Sequence, residues 1–347
     1  MKHILDYTEQ QLVDFFTSID EKSFRAKQTY KWIFHKKVSD FDEMTNLSKE
    51  LRQFLKENFL LRALENQKNL MSNECDTSKY LFKTIDGHFI ETVLIPEKDR
   101  RTLCISSQVG CSLACSFCAT GRMGYFRNLT MGEIIEQIIQ TEILSGEKIT
   151  NIVFMGMGEP FLNYPRVMEA ASIMSDPEGL ALRKSRITIS TSGIVPKIIQ
   201  MADEKRPYGL ALSLHAPDQE TREKIMPVAK KFPLEEVMES VYYYYKQTKN
   251  RPTYEYILLD EINDSPEHAK KLKKILAKTP AKINLIPYND VGAGFRAPSN
   301  EKIDRFIQVL LDSPITVTLR KSRGSDIQAA CGQLSTTYMQ AQTESLK

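Results

Sequence analysis

Residues 1–65 carry apolar side chains at the three- and four-residue spacing of amphipathic helices. Thr8 and Gln11 have the spacing of a capping box, and the apolar residues of one helical face follow them: Leu12, Phe15, Phe16 and Ile19. A further helix is predicted to begin at Ser48, because Leu51, Phe54 and Leu55 fall on one face. The pattern therefore predicts a helical accessory domain over residues 1–65.

In residues 66–96 the spacing of the apolar residues changes from that of helices to that of β-strands. Residues 80–84 and 88–95 are strand-like runs, and the Asp86-Gly87 pair between them is typical of a tight hairpin turn. We therefore expect a β-hairpin linker region here.

From about residue 100 onward, strand-like runs alternate with amphipathic helices. The predicted strands cover residues 102–107, 151–155, 186–190, 209–214, 254–259, 283–287 and 315–319. The clearest helix begins at Thr130, where Glu133 completes a capping box, and ends at Gly146. Repeated βα units indicate an α/β fold with a parallel sheet, either doubly wound or a full or partial barrel.

Polar and glycine-rich segments follow the ends of these strands. They are residues 111–118, 156–160, 190–193 and 213–215, together with Asn289. Barrels of (β/α) units place their active sites at the carboxyl ends of the strands. The repetition at five strand ends favours a barrel over an open sheet and predicts a site at that end.

Composition narrows the class of protein but not its substrate. The 347 residues are 41% hydrophobic and 26% charged, which is typical of a globular protein. No apolar run approaches the roughly 20 residues of a membrane span, and the first residues turn polar too early for a signal peptide. We expect a cytoplasmic protein without membrane association. The net charge of +3 does not indicate nucleic-acid binding, and it does not exclude a local surface that binds nucleic acid.

Six cysteines in a cytoplasmic chain favour metal or redox chemistry over structural disulfides. Cys111, Cys115 and Cys118 form a C-x₃-C-x₂-C loop that offers three thiolates. A structural zinc site needs four protein ligands, whereas three leave one coordination position open for catalysis. Cys104 or Cys331 could be a fourth ligand, so spacing alone leaves a zinc site as an alternative.

The loop resembles the cluster-binding loop of the radical S-adenosylmethionine superfamily, including the aromatic Phe117 before the third cysteine. Six ordered motifs resemble the RlmN family, bacterial radical methyltransferases that act on C2 of adenine in RNA: TLCISSQVGCSLACSFCATG, FMGMGEP, STSG, SLHAP, INLIPYN and DIQAACGQL. The resemblance implies a partial (β/α) barrel of the radical S-adenosylmethionine type. It divides the chain into an RNA-binding accessory domain (1–65), a β-hairpin region (66–96), the radical core (97–326) and a C-terminal segment (327–347).

The resemblance also implies the cofactors and the residues that bind them. A [4Fe–4S] cluster is held by Cys111, Cys115 and Cys118, and S-adenosylmethionine completes its open iron. The cofactor contacts are expected from Gly158, Glu159, Ser190, Ser213, Leu214, His215 and Asn289.

The catalytic roles implied by the resemblance use two molecules of S-adenosylmethionine per turnover. The first methylates Cys331, and the second yields a 5′-deoxyadenosyl radical that takes hydrogen from the S-methyl group. The carbon radical adds to C2, Glu91 accepts the C2 proton, and Cys104 attacks Cys331 to release the RNA and leave a disulfide. The implied partners are 23S rRNA, at the peptidyl-transferase centre, and tRNA, at the adenosine 3′ to the anticodon. An electron donor such as flavodoxin or ferredoxin is also implied.

Three alternatives compete with this interpretation. The Cfr type of the same family methylates C8 of adenine, but its motifs tend to differ at the positions of Pro160 and Ser192. A non-catalytic zinc- or cluster-binding RNA protein is a second alternative, and a radical enzyme acting on small molecules is a third. Cys75, in a polar stretch, has no expected role. Five basic residues near the predicted site are candidates for phosphate contacts: Arg122, Arg127, Arg320, Lys321 and Arg323.

Overall fold

The computed structural model of the chain describes residues 1–312, 315–320 and 322–335. Its α-helices are α1 (Glu9–Ser18), α2 (Ser23–Lys31), α3 (Lys49–Asn58), α4 (Ala119–Arg122), α5 (Met131–Ser145), α6 (Tyr164–Ser175), α7 (Val195–Asp203), α8 (Gln219–Ile225), α9 (Leu234–Thr248), α10 (Pro266–Leu276) and α11 (Asn300–Leu311). Its strands are β1 (Lys2–His3), β2 (Phe59–Leu60), β3 (Leu64–Met71), β4 (Ser78–Thr84), β5 (Phe89–Glu97), β6 (Arg100–Cys104), β7 (Gln108–Gly110), β8 (Tyr125–Asn128), β9 (Asn151–Phe154), β10 (Ile187–Thr191), β11 (Gly209–Ser213), β12 (Thr253–Leu258), β13 (Lys282–Pro287) and β14 (Thr316–Leu319).

The N-terminal residues are helical, as predicted. The capping box of Thr8 and Gln11 precedes α1, and Ser48 caps α3. Helix α2 was not predicted, because its sequence is polar and only Ala26, Thr29 and Tyr30 are buried. The short strands β1 and β2 pair in parallel and close this layer into a unit.

The helical layer contacts the rest of the chain at the start of α5. The Asp6 carboxylate accepts a hydrogen bond of 2.7 Å from the backbone N–H of Gly132. A Cβ atom on Gly132 would lie 2.4 Å from Nδ1 of His3, so only glycine allows this approach. The predicted capping box of Thr130 and Glu133 and the left-handed Gly146 at the end of α5 are both confirmed.

One ten-stranded sheet organises the remainder, in the order β14-β13-β12-β11-β10-β9-β6-β5-β4-β3. All seven strands predicted after residue 100 are present with small shifts of their ends, and they pair in parallel. Because the order has two ends, these described strands form a partial barrel rather than a closed one. The predicted α/β fold of partial-barrel type is therefore confirmed.

The predicted hairpin is β4 and β5, but it is part of a larger structure. A third strand, β3, pairs with β4, and β5 pairs antiparallel with the first barrel strand, β6. Residues 66–96 thus extend the barrel sheet instead of linking two separate bodies. In the described part of the chain, no helix is both long enough and apolar enough to cross a membrane.

Candidate active site

A cavity, called here the upper cavity, opens at the carboxyl ends of β9, β10 and β11. It brings together residues from four of the predicted segments and from the C-terminal loop: Cys111, Cys115, Cys118, Gly158, Glu159, Ser190, Ser213, His215 and Cys331. Parallel strands end at the same edge of the sheet, so the short polar segments that follow them lie close together in space. Their proximity therefore needs no contact-specific pattern in the sequence.

The three-cysteine loop is held between the antiparallel ribbon β7–β8 and helix α4. Ser116 donates a backbone hydrogen bond of 3.0 Å to the carbonyl of Ile225, which ties the loop to α8. Burial and mutual repulsion raise the pKa of the Cys115 thiol well above its ordinary value, and burial raises that of Cys111 to about 12. Such thiols become thiolates only when a metal takes the place of their protons.

Arg222 supplies a test of whether a thiolate-bound cluster fits. It is fully buried, and its Nη1 has no hydrogen-bond partner among the described residues. Its other nitrogens donate only to backbone carbonyls, such as that of Ser192 at 2.6 Å. A positive charge that lowers the pKa of Cys115 is therefore buried with no carboxylate partner in the described part of the chain. An anionic cluster on the cysteine loop would compensate it, so the residues fit the group.

The described residues contain no three His, Cys, Asp or Glu side chains grouped to hold one metal ion. A zinc ion would draw its sulfur ligands to about 2.3 Å from a single point. The thiolates of a [4Fe–4S] cluster bind different irons and need no such common point.

Gly158 and Glu159 form one wall of the upper cavity. Gly158 has a φ of +96°, and a Cβ atom there would lie 2.5 Å from Cβ of Gln108, so the chain requires glycine. The buried Glu159 carboxylate accepts hydrogen bonds from the backbone N–H groups of Ser192 (2.7 Å) and Phe161 (3.0 Å). Its orientation is thereby fixed, and each oxygen retains a lone pair for a cationic ligand group.

Ser190 and Ser213 lie side by side at the ends of β10 and β11, with their hydroxyl oxygens 3.4 Å apart. His215 follows with a left-handed backbone, and its Nδ1 accepts a hydrogen bond of 3.0 Å from the N–H of Ile257. Burial lowers the pKa of His215 to about 3, so the ring is neutral with its proton on Nε2. The ring packs edge-on against Phe117 of the cysteine loop.

Two predicted cofactor residues lie elsewhere. The side chain of Leu214 is in the core, and its carbonyl accepts a hydrogen bond from Nε of Arg222. Asn289 lies beyond the wall formed by Cys331, where its side-chain amide donates to the Cys331 carbonyl at 3.2 Å. In this structure Asn289 positions the C-terminal loop.

Cys331 and Cys104 are close enough for the charge of one to raise the pKa of the other. Burial first, and then the charge of Cys331, raise the pKa of Cys104 to about 12. Cys331 is exposed, but its exposed surface lines cavities inside the barrel rather than the outside of the protein. Surrounding protein atoms therefore still raise the pKa of its thiol by burial, to about 11. The charge of Arg320 lowers the pKa of both thiols. Both are free in this structure.

Glu91 is buried rather than solvent-facing, although a glutamate in a strand is more often exposed. Burial raises its pKa, and the charge of Lys79 opposes that rise. Lys79, also buried, places its Nζ 2.9 Å from Oε1 of Glu91 and donates to the carbonyl of Gln328 at 3.2 Å. Because Val93 pairs with Cys104, Glu91 lies on the same sheet face as that thiol.

Replacing Lys79 with methionine is expected to lower the free energy of unfolding by about 3 kcal/mol, because it leaves a buried carboxylate without its cation. The urea midpoint of the reconstituted protein measures the change. Lys83→Met is the matched control, since Lys83 is on the same strand and makes no ion pair in the described ranges. Equal midpoints for the two variants would contradict the assignment, and Lys79→Met/Glu91→Leu should recover most of the loss.

Residues 322–335, which follow β14 and include Cys331, are called here the carrier loop. Residues 64–97, which comprise β3, β4, β5 and their turns, are called here the β-extension, and they hold one end of the loop. Asp326 accepts hydrogen bonds from Oγ of Ser72 (2.7 Å) and the N–H of Asn73 (2.9 Å). Helix α4, directly after the cysteine loop, holds the other end, where the backbone N–H of Ala119 donates to the carbonyl of Gly332 at 2.8 Å. The β-extension therefore positions the segment that carries Cys331.

A second cavity of about 530 Å³, called here the lower cavity, lies on the other side of Cys331. It reaches the amino ends of the barrel strands, where Arg100, Thr253 and Lys282 are the first residues of β6, β12 and β13. Cys331, Glu255 and Met155 line both cavities. Sequence reasoning missed Glu255 and Lys79, although a charged residue inside an apolar strand run was an available signal.

The basic candidates for phosphate binding differ in how far their charges are already paired. Arg127 is bound by the carboxylates of Asp86 and Glu133. Arg122 is exposed, and among the described residues it donates to backbone carbonyls of the loop after β13. Arg323 pairs with Glu97 at the rim of the lower cavity, Arg320 lines its wall, and Lys321 lies outside the described residues.

Comparisons with known proteins agree with this geometry. Residues 2–61 match the family model described as the ribosomal RNA large subunit methyltransferase N-terminal domain, and residues 105–272 match the radical SAM superfamily. A relative from Thermoanaerobacter sp. (strain X514), described as "Probable dual-specificity RNA methyltransferase RlmN", is 46% identical over 98% of this chain and 99% of that protein. A Thermotoga neapolitana relative with the same description is 45% identical, covering 96% of this chain and 97% of that protein.

The fold is also that of a solved structure. A radical SAM methyltransferase from Sphaerobacter thermophilus superposes with a TM-score of 0.93 at 41% identity, and the match covers 96% of this chain and 99% of that one.

Proposed function

The chain belongs to the RlmN family of radical S-adenosylmethionine methyltransferases, and from that premise we propose that it methylates C2 of a specific adenosine in RNA. The proposed substrates are 23S rRNA, at the peptidyl-transferase centre, and tRNA, at the adenosine 3′ to the anticodon. The relatives are described as dual-specificity RNA methyltransferases, which supports two RNA substrates. The chain uses a [4Fe–4S] cluster and S-adenosylmethionine, as its superfamily does.

The proposed binding sites follow from the upper cavity. Cys111, Cys115 and Cys118 hold the cluster, and Arg222 compensates its charge. Glu159 offers fixed carboxylate lone pairs to the amino group of S-adenosylmethionine, and the paired hydroxyls of Ser190 and Ser213 offer further contacts. When bound, these groups supply the methyl group and the 5′-deoxyadenosyl radical, and the remaining chemistry belongs to the residues of the chain.

Cys331 carries the one-carbon unit. Its sulfur holds the unit first as an S-methyl group and then as a methylene bridge to C2 of adenine. Glu91, whose pKa is raised by burial, accepts the C2 proton, and the one electron that the adduct loses would return to the cluster, which would have supplied one electron when the radical was formed. The Cys104 thiolate then attacks the sulfur of Cys331. An S–S bond forms, the S–C bond breaks, and the carbon leaves with the electron pair and is protonated to a methyl group. Two electrons from an external reductant reset the disulfide.

One observation carries this proposal: Cys331 lines the upper cavity with the three-cysteine loop, and Cys104 lies close enough for the charge of Cys331 to raise its pKa. A radical enzyme for small molecules has no use for that pair. A zinc-binding RNA protein has no use for the wall of Gly158 and Glu159.

Anaerobic reaction of the reconstituted protein with rRNA or tRNA, followed by nuclease digestion and mass spectrometry, tests the proposal. We expect 2-methyladenosine as the only new nucleoside. Formation of 8-methyladenosine would instead assign the Cfr-type reaction. A protein that forms neither nucleoside, and no deoxyadenosine from S-adenosylmethionine under reducing conditions, would support the non-catalytic alternative.

A further inference from the structure

We propose that Gln333 is a positioning residue for Cys331, and that its buried amide holds the turn from which the carrier sulfur projects. This inference rests on the proposed function, because it concerns the group that carries the one-carbon unit in that reaction. Gln333 lines neither the upper nor the lower cavity, so it acts through Cys331 and not by contact with a substrate.

Residues 330–333 form a type II β-turn, called here the carrier turn. The N–H of Gln333 donates to the carbonyl of Ala330 at 3.0 Å and closes the turn. Gly332 has a φ of +84°, while the backbone of Cys331 is not left-handed, and this combination is that of type II. Cys331 therefore occupies the second position of a tight turn, and it lines both cavities from there.

The side chain of Gln333 makes two further hydrogen bonds at this turn. It is buried, and its Oε1 accepts a hydrogen bond of 3.1 Å from the N–H of Ala330. Its Nε2 donates at 3.2 Å to the carbonyl of Asp290, in the loop that follows β13. One amide thus closes the carrier turn a second time and attaches it to a neighbouring loop. Because one partner is a donor and the other an acceptor, the side chain must both accept and donate.

The loop after β13 is itself attached to α4, the helix that begins directly after Cys118. Nη1 of Arg122, the last residue of α4, donates to two carbonyls of this loop, at 2.9 and 3.0 Å. The N–H of Ala119, the first residue of α4, donates to the carbonyl of Gly332 at 2.8 Å. Hydrogen bonds therefore form a closed path from α4 through the loop and Gln333 to the carrier turn, and back to α4. This path fixes the turn relative to the cysteine loop.

The proposed reaction needs the sulfur of Cys331 in one place for successive steps. It takes up a methyl group on the side of the cysteine loop, and later the thiolate of Cys104 attacks it while the S–C bond breaks. A displacement of about 1 Å in a reacting group can lower a rate on the order of 100-fold. A turn held by several hydrogen bonds keeps the sulfur in position throughout, which is the role assigned to Gln333.

The first test measures disulfide formation between Cys104 and Cys331 in the reconstituted holoenzyme, without RNA. The protein is equilibrated anaerobically with mixtures of a dithiol and its cyclic disulfide, so that two electrons and two protons pass from the cysteines to the cyclic disulfide. Acid quenching and mass spectrometry quantify the bridged peptides. Gln333→Met keeps the length of the side chain and loses both of its hydrogen bonds. It should lower the equilibrium constant about 10-fold, which is about 30 mV for this two-electron couple.

Gln328→Met is the matched control. Gln328 is exposed on the same loop, and its carbonyl, which the substitution keeps, accepts the hydrogen bond from Lys79. Its side chain makes no hydrogen bond among the described residues. We therefore expect the disulfide constant of this variant to stay within about 2-fold of the wild type.

Gln333→Glu separates positioning from a general loss of structure, because the two hydrogen bonds can be restored within one protein by pH. A protonated carboxyl accepts from Ala330 and donates to the carbonyl of Asp290, as the amide does, whereas a carboxylate only accepts. Burial raises the pKa of a carboxyl, so the protonated form is favoured as the pH falls. Relative to the wild type at the same pH, the disulfide constant should recover near about pH 6 and approach that of Gln333→Met near about pH 8.

The second test follows methyl transfer to a tRNA fragment. Gln333→Met should lower kcat on the order of 100-fold, while the KM for RNA and the Kd for S-adenosylmethionine stay within about 2-fold, because the side chain lines neither cavity. The iron content and visible spectrum should match those of the wild type.

Four outcomes decide the matter. An unchanged disulfide constant in Gln333→Met, or an equal change in Gln328→Met, would overturn the positioning role. A deficit of Gln333→Glu that is independent of pH would contradict the assignment of the two hydrogen bonds. A raised KM for RNA with an unchanged kcat would assign Gln333 to RNA binding instead. If the wild type forms no methylated RNA while the disulfide constants change as expected, the proposed function fails and the positioning of Cys331 by Gln333 stands.

Discussion

Replacing Cys331 with alanine is expected to lower methyl transfer to RNA by more than about 10⁴-fold while the cluster and S-adenosylmethionine still bind. Cys331 is the only cysteine lining the upper cavity that lies outside the cysteine loop, among the described residues. Without its sulfur, the one-carbon unit has no covalent carrier between the cofactor and the base. No other thiol in the described part of the chain occupies the wall between the two cavities.

Three measurements on the same sample distinguish loss of the carrier from loss of the site. The iron content and visible spectrum should match those of the wild type, and deoxyadenosine should still form slowly under reducing conditions. Methylated nucleoside should be absent after digestion of the RNA. Cys75→Ala is the control, because the Cys75 thiol lies 3.3 Å from the hydroxyls of Ser72 and Thr77 and lines neither cavity. Methylated RNA formed by Cys331→Ala would overturn the carrier role.

The convergence of the polar segments at the upper cavity could be predicted from the sequence, because each segment is adjacent in the chain to the strand it follows. The end of each strand can be located from the pattern of its own βα unit. Parallel pairing then brings these ends to one edge, so Glu159, Ser213 and Cys118 meet in one cavity without any knowledge of their contacts.

The parts that could not be predicted depend on strand register and on a loop that packs from far along the chain. Lys79 lies just before the predicted strand 80–84, and its sequence neighbours do not indicate a buried partner. It becomes the partner of Glu91 only because β4 and β5 pair in one register and the carrier loop covers both. A one-residue slip would turn its side chain to the other face. Asn289 likewise contacts the carrier loop only through the packing of residues 42 positions apart.

The β-extension shows the same limit. The Asp86-Gly87 turn predicted the hairpin, but the sequence did not show what the hairpin contacts. Its contact with the carrier loop joins Ser72 to Asp326, which are far apart in the chain. The extension holds the carrier loop from the side opposite to the cysteine loop. The position of Cys331 is therefore determined by three segments that are remote in sequence, which explains how one thiol can lie between two cavities.

Replacing Cys104 with alanine is expected to convert the enzyme into a covalent protein–RNA complex. The carrier, the cofactor site and Glu91 remain, so the methylene bridge from Cys331 to C2 still forms and still loses its proton. Release then fails, because the thiolate that would attack the sulfur of Cys331 is missing. The neighbouring Arg320, which lowers the pKa of both thiols, has no nucleophile left to activate. The RNA product should fall by more than about 10³-fold while the adduct approaches one RNA per protein.

Denaturing electrophoresis and mass spectrometry of nuclease-treated protein would detect the adduct, as a nucleotide plus one carbon on the peptide that contains Cys331. Cys104→Ala/Cys331→Ala should form none, because the bridge needs the carrier. In the wild type the adduct should be transient, and the product should be accompanied by a disulfide between Cys104 and Cys331 that a dithiol removes. Methylated RNA released by Cys104→Ala at the wild-type rate would show that another nucleophile resolves the bridge. Since Cys104 lies on the same sheet face as Glu91 and close to Cys331, the proposed base and the proposed resolving thiol approach from one face of the sheet, and we expect the two steps after carbon transfer to follow without moving the RNA.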